Sequence, residues 1–243
     1  MELKNKVKKK RRKKKIIGRL RKAYKKQIVG EVLRLSRKDI SSECLNAPPI
    51  KPTHKLFPNG EHNDAMIGKG LWLNHLNYQE GYIGVAIRLL DIIRLSDNII
   101  IKDSYILVAL FCFRHYLELS MKDSLLHYYK EHSSAIIMDC GHNLEALFNE
   151  IMKLPGMYSD ETTDSVKRMV NTLHGYDPTG IVFRYPYNLE ASTGSVKTTL
   201  MPKIGLKDVR TLRVRMMQLY NFFDGINWMV HDYERKGRYC KNK

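Results

Sequence analysis

The sequence predicts an all-α protein: an antiparallel helical bundle with one β-hairpin inserted before the last helix. Two observations carry this expectation. Apolar residues recur at spacings of three and four through most of the chain beyond residue 76, the period of an amphipathic helix. One late segment, HGYDPTGIVFRYPYNLEASTGSVKTTLMP, instead alternates and carries turn residues, the pattern of a hairpin. No internal repeat is present, and the 243 residues suffice for one sizeable core with an extension.

The elements follow in order. Residues 1–38 form a basic tail running into an amphipathic helix. KKKRRKKK is a charge block that repels itself; from Ile16 onward Ile17, Leu20, Tyr24, Ile28, Val32 and Leu35 fall on one helical stripe, which Gly18 and Gly30 weaken. Residues 39–70 are a Pro-rich connector, and 71–243 are the bundle domain, with its hairpin at about 180–201. Within the bundle, helices are predicted over 77–95, with Tyr82, Val85, Leu89 and Ile92 on one face, and over 102–130, the longest periodic run. Shorter ones are predicted over 142–153, ended by LPG, and over 160–173. The hairpin turn is placed at Ala191 to Ser195. The last helix, 206–234, carries Leu212, Met216, Leu219, Phe223, Ile226 and Val230 as its stripe.

Charge separates tail from body. The net charge is +17, from 42 basic and 25 acidic residues. Fifteen of the basic residues but only Glu2 of the acids lie in 1–26, a local +14; the 27 basic and 24 acidic residues that remain leave the body near +3. Lys8, Lys9, Lys10, Arg11, Arg12, Lys13, Lys14, Lys15, Arg19, Arg21 and Lys22 are the expected nucleic-acid contacts. With Tyr24 alone available for base stacking, they support affinity without sequence preference. A solvating tail, a nuclear-import signal or attraction to an acidic membrane surface are the competing readings.

The four cysteines, Cys44, Cys112, Cys140 and Cys240, are scattered without a CxxC spacing, so neither a zinc knuckle nor a disulfide framework is expected. EHND at 61–64 and the nearby His54, His62 and His75 lack a second ligand cluster and read as a solvated loop. His127 and His132 flank the end of the long helix and are expected to be exposed. No metal and no cofactor are expected, and there is no phosphate-cradling glycine loop or GxSxG. The apolar run near Phe113 is too short and too interrupted to span a bilayer, and the basic start is not followed by a signal-peptide core. A cytoplasmic protein that does not enter the membrane is the expectation.

The long helix poses the central question, because FRHYLELS places an arginine, a histidine and a glutamate inside an apolar run. At about 100° per residue from Leu107, Arg114 and Glu118 fall within about 20° of the centre of the apolar arc, and His115 about 80° away. Two readings follow. Arg114 and Glu118 form a buried ion pair that fixes register, or they face a polar pocket in which Arg114 meets an anion.

Together FRHYLELSMKDSL, GHNLEALF (141–148) and HGYDPTGIVFRYP (174–186) resemble a bacterial family of HEPN-like proteins, with its FRH-x-LEL helix, H-[DN]-L motif and D-P…FRYP hairpin in that order. The match spans about half the chain, roughly 105–232. It implies a HEPN-like bundle, a fold that often dimerises and is used in ribonuclease toxins and phage defence. The matched polar positions are Arg114, His115, Glu118, His142, Asp177 and Arg184. On this resemblance Arg114 and Arg184 would clamp a phosphate, Glu118 would orient Arg114, and His142 would move a proton, cleaving RNA without a metal. The Arg-x(4–6)-His signature of catalytic HEPN ribonucleases is met only by Arg168 and His174. The expected partners are therefore nucleic acid, RNA rather than DNA, a second copy of the chain as homodimer, and a protein partner in a defence complex. A non-catalytic module that binds nucleic acid, nucleotide or protein is the alternative.

Overall fold

A computed structural model describes residues 74–185, 187–190, 195–198 and 208–236, with side chains over 78–185 and 208–236. The basic tail, the connector and the hairpin turn at 191–194 lie outside the described residues. The chain divides into two compact units; every site discussed below belongs to the second, Met66–Arg94 with Asp103–Lys243, and of the first only Leu95–Lys102 is described.

The architecture is all-α. Helices α1 (Asn74–Leu95), α2 (Ile99–Tyr129), α3 (Ser133–Cys140), α4 (Leu144–Ile151), α5 (Glu161–Tyr176) and α6 (Val209–Arg235) run in chain order, with a single 3-10 turn, Lys130–His132, between α2 and α3. Strands β1 (Tyr187–Glu190) and β2 (Ser195–Thr198) pair antiparallel before α6, with Tyr187 opposite Thr198 and Glu190 opposite Ser195. No helix among the described residues is long and apolar enough to cross a membrane.

Helix starts follow side-chain chemistry. Asn143 accepts from Ala146 N to open α4, and Asp208 accepts from Arg210 N to open α6. Asp160 and Thr163 form a reciprocal capping box at α5, satisfying donors that the first turn leaves over. Gly141, at φ +55, closes α3 in a conformation that a residue with a Cβ rarely adopts.

Helix α2 is the central element of its unit. Phe113, Tyr116, Leu117, Met121 and Leu125 are all buried, as are Arg114, Glu118, Ser120, Asp123 and Ser124, so the polar residues of its middle turns are largely enclosed, with His115 and Lys122 only partly covered. Around it pack Leu90 and Ile93 of α1, Leu147 and Phe148 of α4, Val170 of α5, and Phe223 and Val230 of α6. A polar thread crosses this core. Gln79 donates to Asp123 at 3.1 Å, Ser124 donates to Asn227, and Asn227 donates to Ser120 Oγ at 3.1 Å. Buried amides and hydroxyls paired this way fix the mutual register of α1, α2 and α6, since a slip would leave them unpaired.

Helix α6 buries the predicted stripe from Met216 to Val230, with Leu212 partly covered. Helix α1 departs from expectation. Its buried apolar residues are Ile83, Ala86, Leu90 and Ile93, one position on from the predicted ladder, and Val85 is 46% exposed. The two ladders are adjacent and both apolar, and the one with Gln79 in line with it, which pairs with Asp123, turns inward. Helix α3 is an addition to the expected elements: it occupies Ser133–Cys140, between the helices predicted over 102–130 and 142–153.

Candidate functional site

The polar residues of the long helix meet the two other matched motifs in one cluster. Arg114 is 2% exposed and Glu118 3%. The guanidinium is held on three sides: Nε donates to Asp177 O at 2.9 Å, one terminal nitrogen to Glu118 Oε2 at 3.0 Å, and the other to His142 O at 2.7 Å. Asp177 itself, fully buried, caps the turn after α5, its Oδ1 accepting from Ile181 N at 2.8 Å and Val182 N at 3.0 Å, while Oδ2 lies 3.4 Å from Arg114 Nε. Gly180, at φ +74, lays bare backbone on the guanidinium, and a Cβ there would sit 2.7 Å from an Arg114 terminal nitrogen.

This closure corrects the role expected of Arg114. Its tip is sealed by protein oxygens and by Gly180, so it cannot clamp a phosphate without abandoning partners in a buried place, a costly exchange. It is a positioning residue, fixing the backbone of His142 and the carboxylate of Glu118 together.

Glu118 is the hub. Its Oε2 takes Arg114, and its Oε1 takes both Lys122 Nζ at 2.8 Å and His142 Nδ1 at 2.8 Å. Burial pushes this carboxyl up, but the bonds from Lys122 and His142 outweigh it and hold the group below the ordinary carboxylate value. It therefore stays ionised near neutral pH.

His142 stands at the junction of α3 and α4 with 62% of its side chain exposed. With Nδ1–H given to a buried carboxylate, Nε2 is the nitrogen that can exchange a proton with solvent or substrate. A carboxylate-oriented imidazole at a surface is the arrangement of a general base.

Arg184 is exposed. It donates from Nε to Gly180 O at 2.6 Å, and its guanidinium lies over the Phe111 and Tyr185 rings at 5.8 and 5.6 Å. Of the two arginines expected to face an anion, this is the one open to solvent. His115 is half-buried between Tyr82, at 4.5 Å edge-on, and Phe111, stacked at 5.9 Å. Burial pulls its pKa below the ordinary imidazole value; Glu118 pulls it up, and Arg184, Arg114 and Lys122 press it down. It is a neutral packing group at neutral pH.

The Arg168–His174 pair does not converge. Both lie on the uninterrupted helix α5, where six residues at about 100° each leave them roughly 120° apart. Arg168 is exposed and donates to Ser165 Oγ at 2.8 Å, whereas His174 Nδ1 is buried with no hydrogen-bond partner among the described residues.

Elsewhere, a mostly apolar cavity of about 360 Å³ opens among Leu110, Phe113, Met169, Phe183 and Met216, with Thr172, Tyr176 and Arg215 also in its lining. Asp123, His127 and His231 form a second polar cluster, missed in the sequence because two helices far apart in the chain supply it.

Comparisons with models of protein families, with curated proteins and with solved structures find no match to this chain.

Proposed function

We propose that the chain is a HEPN-like nucleic-acid-binding protein, with its hairpin inserted before the last helix, and that it cleaves RNA without a metal, in a bacterial defence or toxin system. The observation that carries this reading is the 2.8 Å bond between Glu118 Oε1 and Nδ1 of the exposed His142. His142 Nε2 takes the proton of a 2′-hydroxyl. The 2′-oxygen attacks the adjacent phosphorus, and the 5′-oxygen leaves with a proton from solvent. Arg184 supplies the guanidinium for the phosphate oxygens, while Arg114 and Glu118 hold the base in place. The basic tail adds affinity for the RNA backbone. Val214, Met217 and the 71%-exposed Trp228 lie on an outer face of α6, with the exposed Asn221 and Asp224 between them, a mixed surface on which a second copy of the chain would sit.

A non-catalytic binding module is the second reading, favoured by the sealing of Arg114 and the divergence of Arg168 from His174. One assay separates the two: total RNA and tRNA incubated in EDTA with the full chain, His142→Ala and Arg184→Ala. Ribonuclease activity predicts cleavage by the parent chain and a loss of about 10²–10⁴-fold in His142→Ala. Intact RNA at high protein excess leaves the binding module. Undiminished cleavage by His142→Ala overturns the assignment of the base.

A further inference from the structure

Where α2 packs on α6, Asp123, His127 and His231 each present a ligand atom within 4.8 Å of the other two. Asp123 and His127 are one turn apart on the same helix face, with Asp123 Oδ1 3.6 Å from His127 Nε2. The His127 and His231 rings are 4.3 Å apart. Glu234 stands behind both rings: its Oε2 is 3.1 Å from His127 Nδ1 and 3.5 Å from His231 Nδ1.

We propose that this cluster is a divalent transition-metal site of the Zn²⁺ class, with Asp123, His127 and His231 as ligands. The geometry orients both imidazoles. Both Nδ1 atoms turn toward Glu234, and the opposite nitrogen of His127, Nε2, lies on the Asp123 side; His231 brings one ring nitrogen within 4.8 Å of the ligand atoms of the other two. Glu234 then occupies the place of the outer carboxylate that orients metal-bound histidines and fixes their tautomer. Its other oxygen is held by Lys130 Nζ, so it is oriented in turn. Asp123 is treated alike: its Oδ2 accepts from Gln79 Nε2 at 3.1 Å, leaving Oδ1 on the histidine side.

Two nitrogens and one carboxylate oxygen suit Zn²⁺, Co²⁺ or Ni²⁺ better than the all-oxygen sets of Ca²⁺ and Mg²⁺. Ligands at about 2.0–2.1 Å from zinc stand roughly 3.3 Å apart, so the three must draw together somewhat. The side chains of His127 and His231, 30% and 44% exposed, have room to turn. Three protein ligands leave at least one position for water, the form of a reactive rather than a purely structural zinc site. The site shares no residue with the His142 cluster, so the two proposals stand or fall separately.

The test is titration of the metal-free full chain with Co²⁺, followed by visible absorption, and with Zn²⁺, followed by calorimetry and melting temperature. Expected are Co²⁺ bands displaced by Zn²⁺, a melting temperature raised by Zn²⁺, and both effects lost in His127→Asn and in His231→Asn. Glu234→Gln should weaken binding by about 10–100-fold. Far-ultraviolet dichroism of each metal-free variant checks that it is folded. Absence of binding by the parent chain overturns the site. So does binding retained in either histidine variant, which would place the ion on other residues of the chain.

Discussion

Arg114 and Gly180 act as one device. The guanidinium is gripped by Asp177 O, Glu118 and His142 O, and Gly180 closes the remaining side at φ +74. A flexible side-chain tip would ordinarily yield to an added methyl group, but this tip is buried and held, so it has nowhere to go. Gly180→Ala is expected to cost about 1–3 kcal/mol from its left-handed backbone alone, with displacement of Arg114 added. Urea denaturation should show a lower midpoint at an unchanged slope. An unchanged midpoint would mean that the turn after α5 relaxes without disturbing the guanidinium. Glu118 gives a prediction in pH. Its carboxyl is held below the ordinary value of 4.5 in the folded chain, so the folded state binds its proton less readily than the unfolded state does. The stabilisation is present above that ordinary value and disappears as pH falls through the lower folded value. The stability difference between the parent chain and Glu118→Gln should therefore be full at neutral pH and shrink on acidification below about 4.5. A difference constant across that range would show that the ionised form of Glu118 has no part in it.

At the scale of elements, what the sequence discloses is what side-chain periodicity can carry. The inward aim of Arg114 and Glu118 on α2 was legible because both fall inside an apolar arc, and α6 because Met216 to Val230 form an uninterrupted stripe. The closing of the site around Arg114 was not legible. Two of the three oxygens that hold the guanidinium are main-chain carbonyls, of Asp177 and His142, and the fourth wall is a glycine whose role depends on its φ. A pattern of side chains has no entry for these. Helix α1 was rotated by one residue because two neighbouring ladders are equally apolar, and only the distant partner of Gln79, Asp123 on α2, decides between them. The Asp123–His127–His231 cluster was hidden for a related reason. Asp123 and His127 have an ordinary helical spacing, while their third member arrives from α6, so the group exists only once the helices pack.

At the scale of the whole molecule, the charge is divided unevenly along the chain. Of the net +17, a local +14 is confined to residues 1–26, whereas the described helices have a buried core of their own, including Leu90, Leu117, Phe148 and Phe223. Affinity for a phosphate backbone and stability of the helical body should therefore be separable. Contact with six to ten phosphates makes binding fall by about 10³–10⁵-fold between 50 and 200 mM salt. Removing residues 1–26 should weaken RNA binding and flatten that salt dependence while leaving the melting temperature nearly unchanged. Filter binding across a salt series, beside thermal denaturation of both chains, reads the two quantities independently. A large drop in melting temperature would make the basic segment a partner of the folded body, and an unchanged salt slope would move the phosphate contacts onto surface cations such as Arg184. Only loss of the slope with retention of stability assigns the electrostatic grip to the tail and leaves the His142 face free for the chemistry.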